Sequence, residues 1–198
     1  MNTHSTDAAR SVQSRRWLPV LAVLLVILGV TGGARLVAAA LRSEPGGPVG
    51  IEGVVAIEPR PGWLEEPSLR TDGDGGAARF VLVRGTASLV VTGVDGFGDG
   101  PHVLASEYAA GVLEARFVQV TIGTPAPVTV GMGLPGVRFG YVGLTADRVQ
   151  VEGVVTAATT PQGAATVFDA FAAEGDLAGV ADDLQAMIDG AVLGAHTS

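Results

Sequence analysis

The sequence predicts an α+β domain, with a mostly antiparallel sheet packed with helices, preceded by one N-terminal transmembrane helix. Three observations carry this prediction. An uncharged apolar run fills positions 17–34, short alternating apolar segments follow from residue 53 onward, and an apolar repeat of three and four residues marks the last helix. Consecutive strands joined by short turns pair antiparallel, because parallel pairs need long crossovers.

The composition excludes several classes of function. The 198 residues contain no Cys, and all 12 basic residues are Arg, against 20 acidic residues, for a net charge of −8. Without Cys the chain has no disulfide, no thiolate metal site, no thiol nucleophile and no residue for N-terminal lipidation. A net negative chain is also a poor match for nucleic acid, so we expect no nucleic-acid partner.

Charge is divided unevenly along the chain. Residues 1–42 contain five arginines and one acidic residue, whereas residues 43–198 contain seven arginines and nineteen acidic residues. A short basic head joined to an acidic body indicates two different environments.

The basic head contains a predicted membrane segment, residues 17–41. Its uncharged part, 17–34, would span about 27 Å as a helix, close to the thickness of the hydrocarbon core. Trp17 stands at one edge, where indoles favour the interface, and Arg35 can snorkel at the other. Three arginines precede the run and two follow it, which places the N-terminus in the cytoplasm and residues 43–198 outside.

A cleaved signal peptide is the alternative for this segment, with an Ala-rich cleavage site at 38–40 and a secreted product. We favour an uncleaved signal-anchor, because the apolar run exceeds the usual length of about 7–15 residues in signal peptides. The predicted organisation is a cytoplasmic basic tail (1–16), a transmembrane signal-anchor (17–41), a Pro/Gly linker (42–50), an extracytoplasmic domain (51–193) and a short tail (194–198). This makes it a single-pass protein of the plasma membrane.

Within the domain, the apolar pattern predicts strands, a helix, more strands and a final helix. The predicted strands are 53–57, 80–83, 89–91, 118–122, 128–130, 137–141, 149–155 and 166–171. A helix over 102–114 is indicated by Leu104, Tyr108 and Val112, which are spaced by four. The last helix covers 176–192, with Asp176 as its expected N-cap.

Short motifs accompany this order of elements. Pro61-Gly62-Trp63 follows the first strand, Leu134-Pro135-Gly136 precedes an alternating strand, and Glu152-Gly153 lies in the next. With the final amphipathic helix, this arrangement resembles the PsbP-like α/β fold family, which includes actinobacterial secreted and membrane-anchored proteins without an assigned role. Many of those bacterial relatives carry a lipidated Cys, which this chain lacks. The resemblance implies a non-catalytic extracytoplasmic adaptor or binding domain.

The polar residues do not form a catalytic or metal-binding pattern. The Asp-Gly segments at 72–76 and 95–100 fail the spacing of a calcium-binding EF-hand loop, and are typical of turns. His102 falls in the first turn of a predicted helix, and no Ser lies in a nucleophile-elbow motif. We therefore expect no enzyme activity, no metal and no cofactor.

Two functions remain. The first is a non-catalytic interaction or accessory module of the bacterial cell envelope, anchored in the membrane through residues 17–41, with an unknown protein or lipid partner. The alternative is a carrier of an apolar small molecule or lipid in a cavity between sheet and helix. An enclosed apolar cavity of roughly 300 Å³ or more would favour the carrier. Its ligand-binding residues would be Trp63, Leu104, Tyr108, Phe139 and Leu184. A tryptophan after a turn is, however, more typical of a core.

Overall fold

An eight-stranded antiparallel sheet forms the centre of the computed structural model, which describes residues 47–73 and 77–194. The strand order is β3-β4-β5-β10-β9-β8-β6, and β7 also pairs with β8. The strands are β1 (Val49–Ile51), β2 (Val55–Ile57), β3 (Leu64–Glu65), β4 (Ala78–Arg84), β5 (Ala87–Val94), β6 (Gln119–Ile122), β7 (Ala126–Val130), β8 (Leu134–Leu144), β9 (Gln150–Thr159), β10 (Ala165–Ala173) and β11 (Val192–Leu193). Every pair of described strands is antiparallel, which confirms the predicted sheet type.

Two longer helical segments pack on the sheet, with a short 3-10 turn at Pro67–Leu69. Helix α1 covers residues 101–116 and has three parts: an α-helical start (Pro101–Tyr108), a π-helical turn (Ala109–Leu113) and a last α-helical turn (Glu114–Arg116). Helix α2 is Ala181–Asp189, entered through a 3-10 turn at Leu177–Val180.

The two faces of the sheet bury separate cores. On one face α1 packs against β8, β9 and β10, and its core includes Phe117, Phe139 and Val155. The other face carries α2 together with the fully buried Trp63 and Phe168. Alternating side chains along each strand supply both cores, because successive residues of a strand point to opposite faces.

A small second sheet, β1-β2-β11, adjoins β5. A Cβ at Gly93 would lie 2.8 Å from Val54 and 2.9 Å from Ile51, so only glycine permits this approach. Strand β1 begins at Val49, inside the segment predicted as the linker 42–50, because it pairs with β2.

The final helix is shorter than the predicted 176–192. Val192 belongs to β11, and the α-helical part begins only at Ala181. Asp176 occupies the N-cap position of the 3-10 turn that leads into the helix, but it makes no side-chain capping bond. Its carboxylate accepts a hydrogen bond of 2.7 Å from Thr86 instead.

The predicted cytoplasmic tail (1–16), membrane segment (17–41) and most of the linker lie outside the described residues, as does the tail beyond Gly194. Among the residues that the structure does describe, no helix is long and apolar enough to cross a bilayer.

Candidate binding cleft beside helix α1

A cleft of about 380 Å³ lies between the edge of α1 and the part of the sheet formed by β4, β5 and β10. It exists because α1 packs mainly over β8, β9 and β10, which leaves this face of β4 and β5 without a helix. Apolar side chains line its floor and its helical wall: Val90, Val94, Val167, Leu104 and Val112.

Polar groups surround this apolar surface. Arg79 and Thr92 stand directly opposite each other on β4 and β5, and both line the cleft. Glu107 and Arg116 of α1 also reach it. The cleft therefore combines an apolar trough with a few charged groups, an arrangement typical of ligand sites.

The five residues predicted to bind a ligand do not meet in one place. Leu104 and Tyr108 line the cleft. Phe139 belongs to the same core but is not in the cleft lining, whereas Trp63 and Leu184 lie in the core of the opposite face. A single cavity between the sheet and α1 thus contains two of the five.

A buried carboxylate adjoins the cleft. Asp169 of β10 is 0 % exposed and accepts hydrogen bonds of 2.8 Å from the hydroxyls of Tyr108 and Tyr141. The guanidinium of Arg116 donates a third, of 2.7 Å, and forms an ion pair with it. A buried carboxylate requires this degree of compensation, because an uncompensated charge is costly to remove from water.

The strand register explains how the carboxylate is enclosed. Asp169 stands between Val90 of β5 and Val155 of β9, so the sheet surrounds it with apolar neighbours. Two residues further along β9, Gly153 lies opposite Tyr141, and a Cβ at that glycine would collide with the tyrosine ring. The glycine therefore lets the ring lie flat across β9, with its hydroxyl directed at Asp169.

The π-helical turn brings Tyr108 and Arg116 to the same carboxylate. Residues eight apart in a regular α-helix differ by about 80° in direction. A π-helical turn inserts one extra residue, which makes a spacing of eight equivalent to a spacing of seven, or two full turns. Both side chains consequently face Asp169 from one side of α1.

Burial and charge shift the ionisation of this network. Burial raises the pKa of Tyr108 and of Tyr141, and the negative charge of Asp169 raises both further. Burial alone would lower the pKa of Arg116, but Asp169 and the two tyrosines more than offset this, so that pKa is also raised. The tyrosines therefore remain neutral hydrogen-bond donors and the arginine remains charged. The arginine also stacks near Phe171, with 4.9 Å from its guanidinium carbon to the ring centre.

The sequence pattern alone does not indicate this network. The apolar residues Leu104, Tyr108 and Val112 are spaced by four, which indicates a regular α-helix. In such a helix Arg116 would point about 80° away from Tyr108 and would not reach the same carboxylate. The one available signal was an acidic residue, Asp169, between the apolar Phe168 and Ala170 of the strand predicted at 166–171.

The remaining polar candidates form no reactive arrangement. His102 is exposed at the start of α1, and the Ser106 hydroxyl donates to the His102 backbone carbonyl at 2.9 Å rather than to an imidazole. Within the described ranges, no group of three His, Asp or Glu side chains has the geometry to hold a metal ion.

Comparison with known proteins supports the fold. No family model matches the sequence, and no curated protein is similar to it. Among solved structures, cyanobacterial PsbP (CyanoP) from Synechocystis sp. PCC 6803 has a TM-score of 0.51 at 16% identity, over 78% of this chain and 99% of that one.

Two further solved structures are similar at lower scores. The Ran-binding protein Mog1p of Saccharomyces cerevisiae has a TM-score of 0.44 at 13% identity, covering 72% of this chain and 85% of its own. A Pseudomonas aeruginosa protein of unknown function has a TM-score of 0.42 at 15% identity, covering 56% and 77% respectively. The similarity to PsbP assigns a PsbP-like α/β fold to the chain, and at this identity it shows the fold alone.

Proposed function

We propose that this protein is a non-catalytic interaction module of a bacterial cell envelope, held at the outer face of the plasma membrane by residues 17–41. The anchor is supported by the uncharged run at 17–34 and by the arginines around it. The interaction role is supported by one edge of the central sheet.

Strand β6 forms that edge among the described strands. Val118, directly before β6, is 66% exposed, and Ile122, the last residue of β6, is 36% exposed. Val142 of the adjoining β8 is 45% exposed. Soluble proteins usually protect edge strands with charges, prolines or bulges, because an open edge pairs with other chains. Strand β6 contains neither a proline nor a charged residue, so its open edge is suited to receive an extended segment of a partner protein, which would add a strand beside it.

The Asp169 network is consistent with a non-catalytic role. Each of its carboxylate oxygens already accepts a hydrogen bond, and the group is sealed from solvent. A general acid or base must exchange protons with a substrate at hydrogen-bond distance, which this enclosure opposes. The network instead fixes α1 onto the sheet.

Site-specific photo-crosslinking in native membranes tests the interaction role. A photoreactive amino acid in place of Ile122 should capture one defined protein. Added Val120→Pro should abolish the capture, because the strand register directs the Val120 N–H away from β8 and into the open edge. The same probe in place of Leu69, an apolar residue 46% exposed away from this edge, is the matched control. Equal capture at both positions, or none at Ile122, would contradict the proposal.

The cleft is partly open to solvent and not the enclosed cavity expected of a carrier, but its apolar trough supports a second candidate function, the binding of an apolar or amphipathic small molecule. Its volume of about 380 Å³ falls at the lower end of the range of ligand pockets, roughly 300–1,000 Å³. Photoaffinity labelling of the cleft by apolar and amphipathic probes tests this function.

A further inference from the structure

The wall of the cleft opposite α1 carries a positive charge that the buried network does not use. Arg79 lines the cleft, and its side chain makes no ion pair or hydrogen bond with another described residue. Five other arginines of the described ranges do have such side-chain partners: Arg60, Arg70, Arg84, Arg116 and Arg138. Among the described arginines, the exposed Arg148 also lacks such a partner, so Arg79 is distinguished by its place in the cleft.

Hydroxyl groups accompany this charge. Thr92 is the cross-strand neighbour of Arg79, and Thr71 is bridged to Arg79 through paired backbone bonds of 2.8 Å. All three residues line the cleft. A guanidinium and two hydroxyls are hydrogen-bond donors suited to a carboxylate or a phosphate.

The rest of the cleft suits an apolar chain. Val90 and Val167 form the floor, and Leu104 and Val112 form the helical wall. The volume of about 380 Å³ accommodates one short hydrocarbon chain rather than a two-chain lipid. Glu107 is the acidic group on the helical side, and it would disfavour an anion placed near the helix. An anionic head is therefore directed toward Arg79.

We propose that the cleft binds a single-chain amphiphile with an anionic head, the head at Arg79 and the chain between α1 and β5. This inference rests on the second candidate function and adds to it the chemistry of the ligand. A fatty carboxylate and a lysophosphatidate share this chemistry, and the experiment distinguishes them.

Photoaffinity labelling of the full chain, reconstituted in zwitterionic phosphatidylcholine nanodiscs, tests the proposal. Three diazirine probes of equal short chain length are compared: a fatty carboxylate, a lysophosphatidate and a neutral fatty alcohol. We expect at least one anionic probe to label cleft residues, located by mass spectrometry, at about one-tenth the concentration that the alcohol needs. Such a ratio corresponds to one charge-assisted hydrogen bond.

Charge variants locate the head group. Arg79→Gln should remove the preference for the anionic probe, and Glu107→Gln should strengthen it. Arg148→Gln is the matched control, because Arg148 is an exposed arginine outside the cleft lining, and it should leave labelling unchanged.

The outcomes separate two kinds of failure. Cleft labelling at equal concentrations of all three probes would overturn the anionic ligand and leave the second candidate function standing. Labelling confined to residues 17–41, with none in the cleft, would overturn both. Preference for an anionic probe that persists in Arg79→Gln would overturn the assigned position of the head.

Discussion

Tyr141 lies across Gly153 of the neighbouring strand, and its hydroxyl donates a 2.8 Å hydrogen bond to the buried Asp169. The position of the ring thus depends on the absence of a side chain at residue 153, and the stability of the buried carboxylate depends on the position of the ring. Only a residue without a side chain lets the ring cross β9, and only the crossing ring brings its hydroxyl to the carboxylate.

Gly153→Ala should therefore destabilise the domain by about 3 kcal/mol, because the added Cβ displaces the ring and weakens a hydrogen bond to a charged group. Urea unfolding of the full chain in detergent measures the change. Gly140→Ala is the matched control: its Cβ would meet only Gly153 O at 3.7 Å, an ordinary contact. Equal effects of the two variants would refute the close packing described for Gly153.

Arg116→Met should cost about 3–5 kcal/mol, since it leaves Asp169 buried without its ion-pair partner. The same unfolding measurement applies. Arg60→Met removes an ion pair of 3.8 Å in which the arginine side chain is 55% exposed, and should cost less than about 1 kcal/mol. A loss below about 1 kcal/mol for Arg116→Met as well would contradict the description of Asp169 as a buried charge that depends on its ion-pair partner.

The two tyrosines of the protein should resist ionisation. Their pKa values are raised in the folded state, so above pH 10 the unfolded chain loses protons that the folded chain keeps. Stability should accordingly be unaffected by these groups below pH 10 and fall above it, by about 1.4 kcal/mol per pH unit for each tyrosine.

Ultraviolet absorbance of tyrosinate measures this directly, because Tyr108 and Tyr141 are the only tyrosines present. The tyrosinate absorbance should rise in one step, at the same pH at which circular dichroism shows that the protein unfolds. A rise near pH 10 in the folded protein would show that the hydroxyls are open to solvent.

Because the sequence contains no Cys, the proposed membrane topology can be tested with single introduced cysteines. In intact cells, a membrane-impermeant maleimide should label Ser43→Cys and leave Ser14→Cys unlabelled until the membrane is opened. This follows from the arginine distribution around the uncharged run. Labelling of Ser14→Cys in intact cells would reverse the orientation. A mature N-terminus near Leu41, found by mass spectrometry, would replace the anchor by a cleaved signal.

Periodicity was sufficient for the elements whose residues alternate regularly. The placement of β8 and β9 follows from apolar residues at every second position, and that of β4 and β5 from two short apolar runs on either side of the turn at Gly85-Thr86. The last helix was predicted too long because its apolar repeat continues to Val192, whereas pairing with β2 draws that residue into a strand. A local sequence pattern does not show that a strand more than 130 residues away, β2, will pair with this segment.

Some features of the candidate site can be predicted from the sequence, whereas others depend on the tertiary structure. The sequence by itself determined the uncharged run, the acidic domain, the absence of thiol chemistry and a helix bearing Leu104 and Tyr108. Only the tertiary structure decided that a π-helical turn aligns Arg116 with Tyr108, and that both meet Asp169. The physical reason is that burial of a charge depends on partners 53 and 61 residues away along the chain, which only folding brings within hydrogen-bond distance.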